Sequence, residues 1–196
     1  MIPRHEQPPV GAAAVLAAQV AAPVPVLNTA RLILRAPRAA DFPAYAEIAC
    51  SPVRGAGIGG PMTRADAWWD FVQLASCWML HGHGGWTATL RGDGDTALGF
   101  VLVALEPGDM EPELGFLMTA AGEGHGYAHE AAIAARDWAW QALNLPTLVS
   151  YIAHGNTRSR RLAERLGALR DVAAEAALGR DHATFVFRHT PPEART

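Results

Sequence analysis

One segment limits what this chain can fold into more than any other. Glu113-Leu114-Gly115-Phe116-Leu117-Met118-Thr119 is a short, mostly apolar run that predicts a strand. It passes through a loop holding Gly122, Gly124 and Gly126, and then directly into a helical pattern from Tyr127 to Leu143. Ala128, Ala131, Ala132, Ala135 and Ala139 line one face of that helix. Glycines let a backbone approach a ligand closely, and the free amides and positive end of a helix stabilise an anion. The segment therefore predicts a main-chain anion cradle. A dinucleotide fold competes poorly, because Gly122-x-Gly124-x-Gly126 lacks the G-x-G-x-x-G spacing and follows strands that read as antiparallel.

Those strands come early. Arg31 to Arg35 reads as the first, and Trp86 to Leu90 and Leu98 to Leu105 as a pair joined by a turn at Gly92-Asp93-Gly94-Asp95. Helical spacing covers Ala39 to Cys50 and Thr63 to Leu80, with the glycine-rich link Gly55 to Gly60 between them. After Tyr127 to Leu143 the pattern alternates: strand Thr147 to Ala153, helix Thr157 to Leu166, strand Thr184 to Arg188. The fold class is mixed α/β (α+β), a largely antiparallel central sheet with helices on both faces. With 196 residues, 50% of them hydrophobic, one domain is expected over 28–190, with an N-terminal arm at 1–27, mobile or packed on a partner, and a tail at 191–196.

All 16 basic residues are arginine, so a phosphate-loop lysine, a lysine Schiff base and an amine nucleophile are absent. A net charge of −3 offers no footprint for nucleic acid. The uncharged stretch Gln7 to Ala30 is broken by Pro8, Pro9, Pro23 and Pro25, so no membrane span is expected and the chain reads as cytoplasmic. Arg4 before the weak apolar run Val10 to Ala18 leaves a secretory signal as the minor alternative. Cys50 and Cys77 read as reduced thiols. Cys77-x-x-x-His81-x-His83 and His125-x-x-x-His129 lack a fitting fourth ligand, so no metal is expected. Trp68, Trp69 and Trp78, with Met62 and Met79, read as core or as the surface of a homodimer.

Three motifs in order carry a resemblance: Glu113-Leu114-Gly115-Phe116, Gly124-His125-Gly126-Tyr127-Ala128-His129-Glu130-Ala131, and Asn156-x-x-Ser159-x-Arg161-Leu162-x-Glu164-x-Leu166-Gly167. Together they resemble the GNAT N-acetyltransferases, in the branch of the ribosomal-protein alanine acetyltransferases. Thr29-Ala30-Arg31-Leu32-Ile33-Leu34-Arg35 is similar to that branch's first strand. The resemblance implies a GNAT-like acyl-CoA N-acyltransferase fold, acetyl-CoA as donor, and direct transfer to an amine acceptor, a peptide N-terminus or a small molecule. It implies that the coenzyme lies along Leu117, Met118, Thr119, Gly124, His125, Gly126, Tyr127 and Ala128, with Asn156 on the pantetheine arm and Ser159 on the leaving sulfur. It also places the acceptor-binding loop at Gly55 to Gly60. The chain departs from the family pattern at Glu123, where Gln or Arg is usual and an acid would repel phosphate unless it points outward.

The residues answer the chemistry independently. Acyl transfer from a thioester needs a neutral amine, donors for an oxyanion and an exit for thiolate. At pH 7, neutralising an α-amine of pKa near 8 costs about 1.4 kcal/mol, against roughly 4.6 kcal/mol for a lysine. Glu113 is the candidate base, sharing a strand face with Gly115, Leu117 and Thr119, where Gly115 would leave room for water or substrate. Glu111 and Glu175 are alternatives. Asn156 and Ser159 also fit simple helix capping, with Gly167 as the stop. Arg158, Arg160, Arg161 and Arg165 read either as phosphate ligands, Arg161 foremost, or as a solvated face, Arg160 with Glu164 as an i,i+4 pair. Glu123 and the uncertain base leave a second reading open, a catalytically silent acyl-CoA-binding or dimerising module.

Overall fold

The computed structural model describes residues 2–179 and 183–191. Among the described residues, eight strands form one sheet in the order β1-β2-β3-β4-β5-β6-β8-β7. They are β1 (Leu27–Asn28), β2 (Leu32–Arg35), β3 (Gly85–Leu90), β4 (Asp93–Ala104), β5 (Glu113–Met118), β6 (Val149–Ala153), β7 (Leu169–Arg170) and β8 (Thr184–Arg188). Every neighbouring pair is antiparallel except β5 with β6.

Alternation along the strands sorts two cores. Val101, Val103 and Leu114 face α4 (Tyr127–Leu143) and α5 (Thr157–Arg165), while Phe100, Leu102 and Ala104 face α2 (Phe42–Ala49) and α3 (Arg64–His81). The alanine face of α4 is fully buried at Ala131, Ala132, Ala135 and Ala139, so small side chains bring the helix axis close to the sheet. Where that face ends, Trp78, Trp86 and Trp138 meet edge to face with centroids 4.6 to 5.5 Å apart. Thr63 caps α3, accepting from the Asp66 amide, as a threonine before an apolar helix should.

Three elements differ from expectation. The hairpin turn is tighter than Gly92 to Asp95, because Leu90 pairs with Asp93 across the two residues Arg91 and Gly92, and β4 starts at once. A register shift follows, with Thr89 opposite Ala97 and Ala88 opposite Gly99, and it turns Leu98 towards α4 while Phe100 keeps to the other side. Beyond α5 the chain adds β7 and α6 (Val172–Leu178), whose Asp171 cap accepts from the Ala174 amide.

The segment read as an arm carries α1 (Ala12–Ala21), which buries no residue of its own. Its flanks are anchored. Glu6 is 4% exposed and takes Arg64 through both oxygens at 2.8 and 2.7 Å, and Trp86 donates its indole N–H to the Pro25 carbonyl at 2.8 Å. No helix among the described residues is long and apolar enough to cross a membrane.

Candidate active site

The sheet opens where its one parallel pair fails. β5 and β6 are in register only at Glu113 and Val149, where the Val149 amide donates to the Pro112 carbonyl at 3.0 Å. One step on, side chains replace the ladder: the Tyr151 amide donates to the Glu113 carboxylate at 3.2 Å, and the Ser150 hydroxyl to the Leu114 carbonyl at 2.6 Å. Past this apex the strands part. Phe116, Leu117 and Met118 on one side and Ala153 on the other line a groove of about 740 Å³.

The glycine loop closes one end of it. Leu98, displaced by the β4 irregularity, offers a carbonyl that accepts from both the amide and the hydroxyl of Thr119, at 3.0 and 2.9 Å. The amides of Gly122 and Glu123 then turn back onto the Thr119 carbonyl. Gly122 must be glycine, because a Cβ there would lie 2.2 Å from the Leu98 oxygen. The amides from Gly124 to His129 donate to no described residue, and the first helix-type bond of α4 is Glu130 to Gly126 at 3.2 Å. Gly126, at φ +78°, lets the chain enter α4 with those donors left free. Arg31 braces the bend from outside, donating to the His125 carbonyl at 3.0 Å and to Glu130 at 2.7 Å while stacking over Tyr127.

Charge on the groove is predominantly positive. Arg54, Arg158, Arg161 and Arg165 line it, whereas Arg160 lies elsewhere, 3.9 Å from Glu164. Glu123 neither points outward nor stands alone: its Oε1 accepts from Arg54 and from Arg158, each at 3.1 Å. Burial raises its pKa, but the two guanidiniums outweigh that and hold the carboxylate below its usual range. Asn156 caps α5, its Oδ1 accepting from the Ser159 amide at 3.0 Å, and both residues line the groove. The link at Gly55 to Ile58 forms a 3-10 turn over α5, so close that a Cβ on Gly57 would lie 2.7 Å from Asn156 Nδ2.

At the apex the balance is reversed. Burial pushes the Glu113 carboxyl up to about 8, with Glu106 and Asp109 adding repulsion. Glu106 itself rises to about 7 through burial, then through Asp70 and Asp109. The space expected beside Gly115 is not free, because Leu102 fills it; three of its side-chain atoms would sit 2.9 to 3.0 Å from a Cβ on Gly115. Glu111 and Glu175 are tied into bidentate pairs with Arg188 and Arg170, which lower both, so neither is poised as a base.

Of the expected coenzyme contacts, Leu117, Met118, Gly124, Gly126, Tyr127, Ala128, Asn156 and Arg161 line the groove. Thr119 and His125 do not. Thr119 is 3% exposed and spends its hydroxyl on the loop, and the His125 ring stacks on Tyr127 outside the lining. Sequence reasoning missed Arg54 and the brace at Arg31. The signal for the brace was present in the motifs as Arg31 and Glu130, without their pairing.

Comparison with known proteins agrees with this geometry. Residues 31–169 match the family model described as an acetyltransferase (GNAT) domain. The crystal structure of an acetyltransferase from Agrobacterium tumefaciens str. C58 is 40% identical, covers 85% of this chain and 95% of its own, and superposes with a TM-score of 0.78. Two more distant structures share the fold. One is the ribosomal L7/L12 alpha-N-protein acetyltransferase RimL, 14% identical over 84% of this chain and 93% of its own at TM-score 0.64. The other is a spermidine N-acetyltransferase from Vibrio cholerae in complex with CoA and spermine, 16% identical over 80% and 92% at TM-score 0.59. With its family model spanning most of the chain and a 40% identical acetyltransferase alongside, this chain belongs to the GNAT family, acetyl-CoA-dependent enzymes that acetylate amines.

Proposed function

We propose that the enzyme acetylates a primary amine, a protein N-terminal α-amine or a small-molecule amine, inside the β5–β6 split. The observation that carries the reading is the split itself, with a row of unspent amides at one end and the Glu113 carboxyl, taking the Tyr151 amide, at its apex. The amides from Gly124 to His129, with Arg161 and Arg165, suit a diphosphate and a further phosphate. When bound there, acetyl-CoA supplies an activated acetyl thioester. The edge of β5 that lacks a β6 partner offers main-chain groups to the thioester and its oxyanion.

Glu113 receives the proton that the incoming ammonium must shed, directly or through water. A carboxyl held near 8 does so in its ionised form, so activity depends on the fraction deprotonated. Ser159, in the first turn of α5 and on the groove wall, hydrogen-bonds the leaving sulfur in this reading, and a thiol of pKa about 8.5 departs without an obligatory acid. The low cost of neutralising an α-amine favours a protein N-terminus over a lysine side chain. RimL acts on a protein α-amine, and the Vibrio cholerae enzyme is held with spermine, so both acceptor kinds occur on this fold. Trp69 and Met79, 70% and 74% exposed on α3, support a homodimer through that face, which sedimentation tests. The unpaired thiols Cys50 and Cys77 suit a reducing cytoplasm.

The test is thiol release from acetyl-CoA against a panel of peptides with free N-termini, polyamines and amino acids. Release with one class identifies the acceptor; coenzyme binding without release across the panel selects the silent module instead. The ground for that alternative is weaker now that Glu123 has two arginine partners.

A further inference from the structure

Glu123, Arg54 and Arg158 come from three separate elements and meet at the wall of one groove. Arg54 belongs to the segment between α2 and α3, Glu123 to the glycine loop, and Arg158 to the first turn of α5. Their geometry differs from that of the protein's other strong ion pairs. Glu6 with Arg64, Glu175 with Arg170 and Glu111 with Arg188 use both carboxylate oxygens at 2.6 to 2.8 Å. Glu123 instead divides a single oxygen between two guanidiniums at 3.1 Å each. Its Oε2 accepts nothing from the described residues, and each arginine spends only one of its five N–H donors on it. The contact is thus loosely made on both sides.

Resting on the reading of this groove as the coenzyme site, we infer that Glu123 is a positioning residue: it clasps Arg54 and Arg158 across the groove, and the phosphates of the coenzyme take both arginines from it. Phosphate oxygens engage a guanidinium in a bidentate fork, which a shared, single carboxylate oxygen cannot match. The exchange also reaches the other substrate. Arg54 follows Ser51, whose hydroxyl accepts the Arg54 amide at 3.2 Å, and three residues on, Gly57 presses on the α5 cap Asn156. Occupancy of the phosphate end is therefore felt by the loop that roofs the acceptor end. The usual Gln or Arg at this position lacks the negative charge to hold two arginines in the empty groove; the acid does so.

The test measures the dissociation constant of CoA by calorimetry for the full chain, Glu123→Ala, Glu123→Gln, Arg54→Ala/Arg158→Ala, and the triple variant. Two partly exposed pairs set free should tighten CoA roughly fivefold in Glu123→Ala, with Glu123→Gln changing in the same direction. The gain should vanish in the Arg54→Ala/Arg158→Ala background, where no arginine is left to release. Hydrogen exchange of 51–60 in the ligand-free protein should rise in Glu123→Ala, and CoA should slow it in the wild type. Weaker CoA binding by Glu123→Ala, a gain that persists without the arginines, or loop exchange indifferent to Glu123 would each overturn the clasp. No CoA binding by the wild type or any variant would instead fell the coenzyme reading, with the clasp falling as its dependent.

Discussion

The two ends of β5 are a strand apart and chemically opposite. At its start, Glu113 feels Glu106 and Asp109, Glu106 in turn feels Asp70, and none of the four is paired with an arginine among the described residues. Beyond its end, free amides and four arginines line the groove, and Glu123, the acid that lines it with them, is doubly paired. Burial without a cation lifts Glu113 to about 8 and Glu106 to about 7, whereas unspent donors in the open hold anions. One short strand thus separates a carboxyl with a raised pKa, behind the groove's apex, from the row of free amides and arginines that lines the groove's far end.

The largest expected effect breaks the acidic end. Glu113→Gln should lower kcat by roughly a hundred- to ten-thousand-fold at pH 9 while leaving CoA affinity unchanged. The same change should raise Tm at that pH. The folded carboxyl is raised from 4.5 to about 8, so its contribution is most favourable below 4.5 and is lost as pH climbs through 8, a penalty the amide does not suffer. Thermal melts and steady-state kinetics on one preparation read both, and a fall in kcat together with a fall in Tm would mark a structural role. Next, Gly122→Ala attacks the basic end. Its Cβ must displace the Leu98 carbonyl, so CoA affinity should drop about a hundredfold, or about 2.7 kcal/mol, measurable by calorimetry.

The pH profile sharpens the contrast. The ratio of wild-type to Glu113→Gln kcat should fall tens-fold between pH 9 and pH 6, with a midpoint near 8, because acid protonates the wild-type base. Titration of the amine acceptor cancels in that ratio, and a flat ratio would remove Glu113 from proton transfer. The smallest effect belongs to Arg161→Ala, expected to weaken CoA roughly threefold and to reduce the salt dependence of binding.

Much of this was legible locally. The alanine face of α4, its start at Tyr127 and the strand at Glu113 all follow from spacing, because each depends on residues within a few turns of one another. The Asn156 cap was legible for the same reason. The contacts that tune the site were not. Arg31 and Glu130 are 99 residues apart, and Arg54 and Glu123 are 69 apart, so no periodicity joins them. Leu102 comes from the neighbouring strand to fill the space beside Gly115, and the burial that raises Glu113 is reinforced by repulsion from the β4–β5 loop. A hydrophobic pattern fixes which face a residue takes, whereas pKa values and ion pairs depend on which strangers the fold assembles around it.

The irregularity in β4 has a bearing on how this protein can change. Thr119 grips the Leu98 oxygen twice and Gly122 is wedged against it, so the glycine loop is indexed to β4 like a key in a notch. A residue inserted before Thr119 would have to slip the whole of β5 along its neighbour, whereas one inserted after Gly122 would only rotate which amides greet the ligand. Length variation among descendants of this chain should therefore collect on the downstream side of that notch.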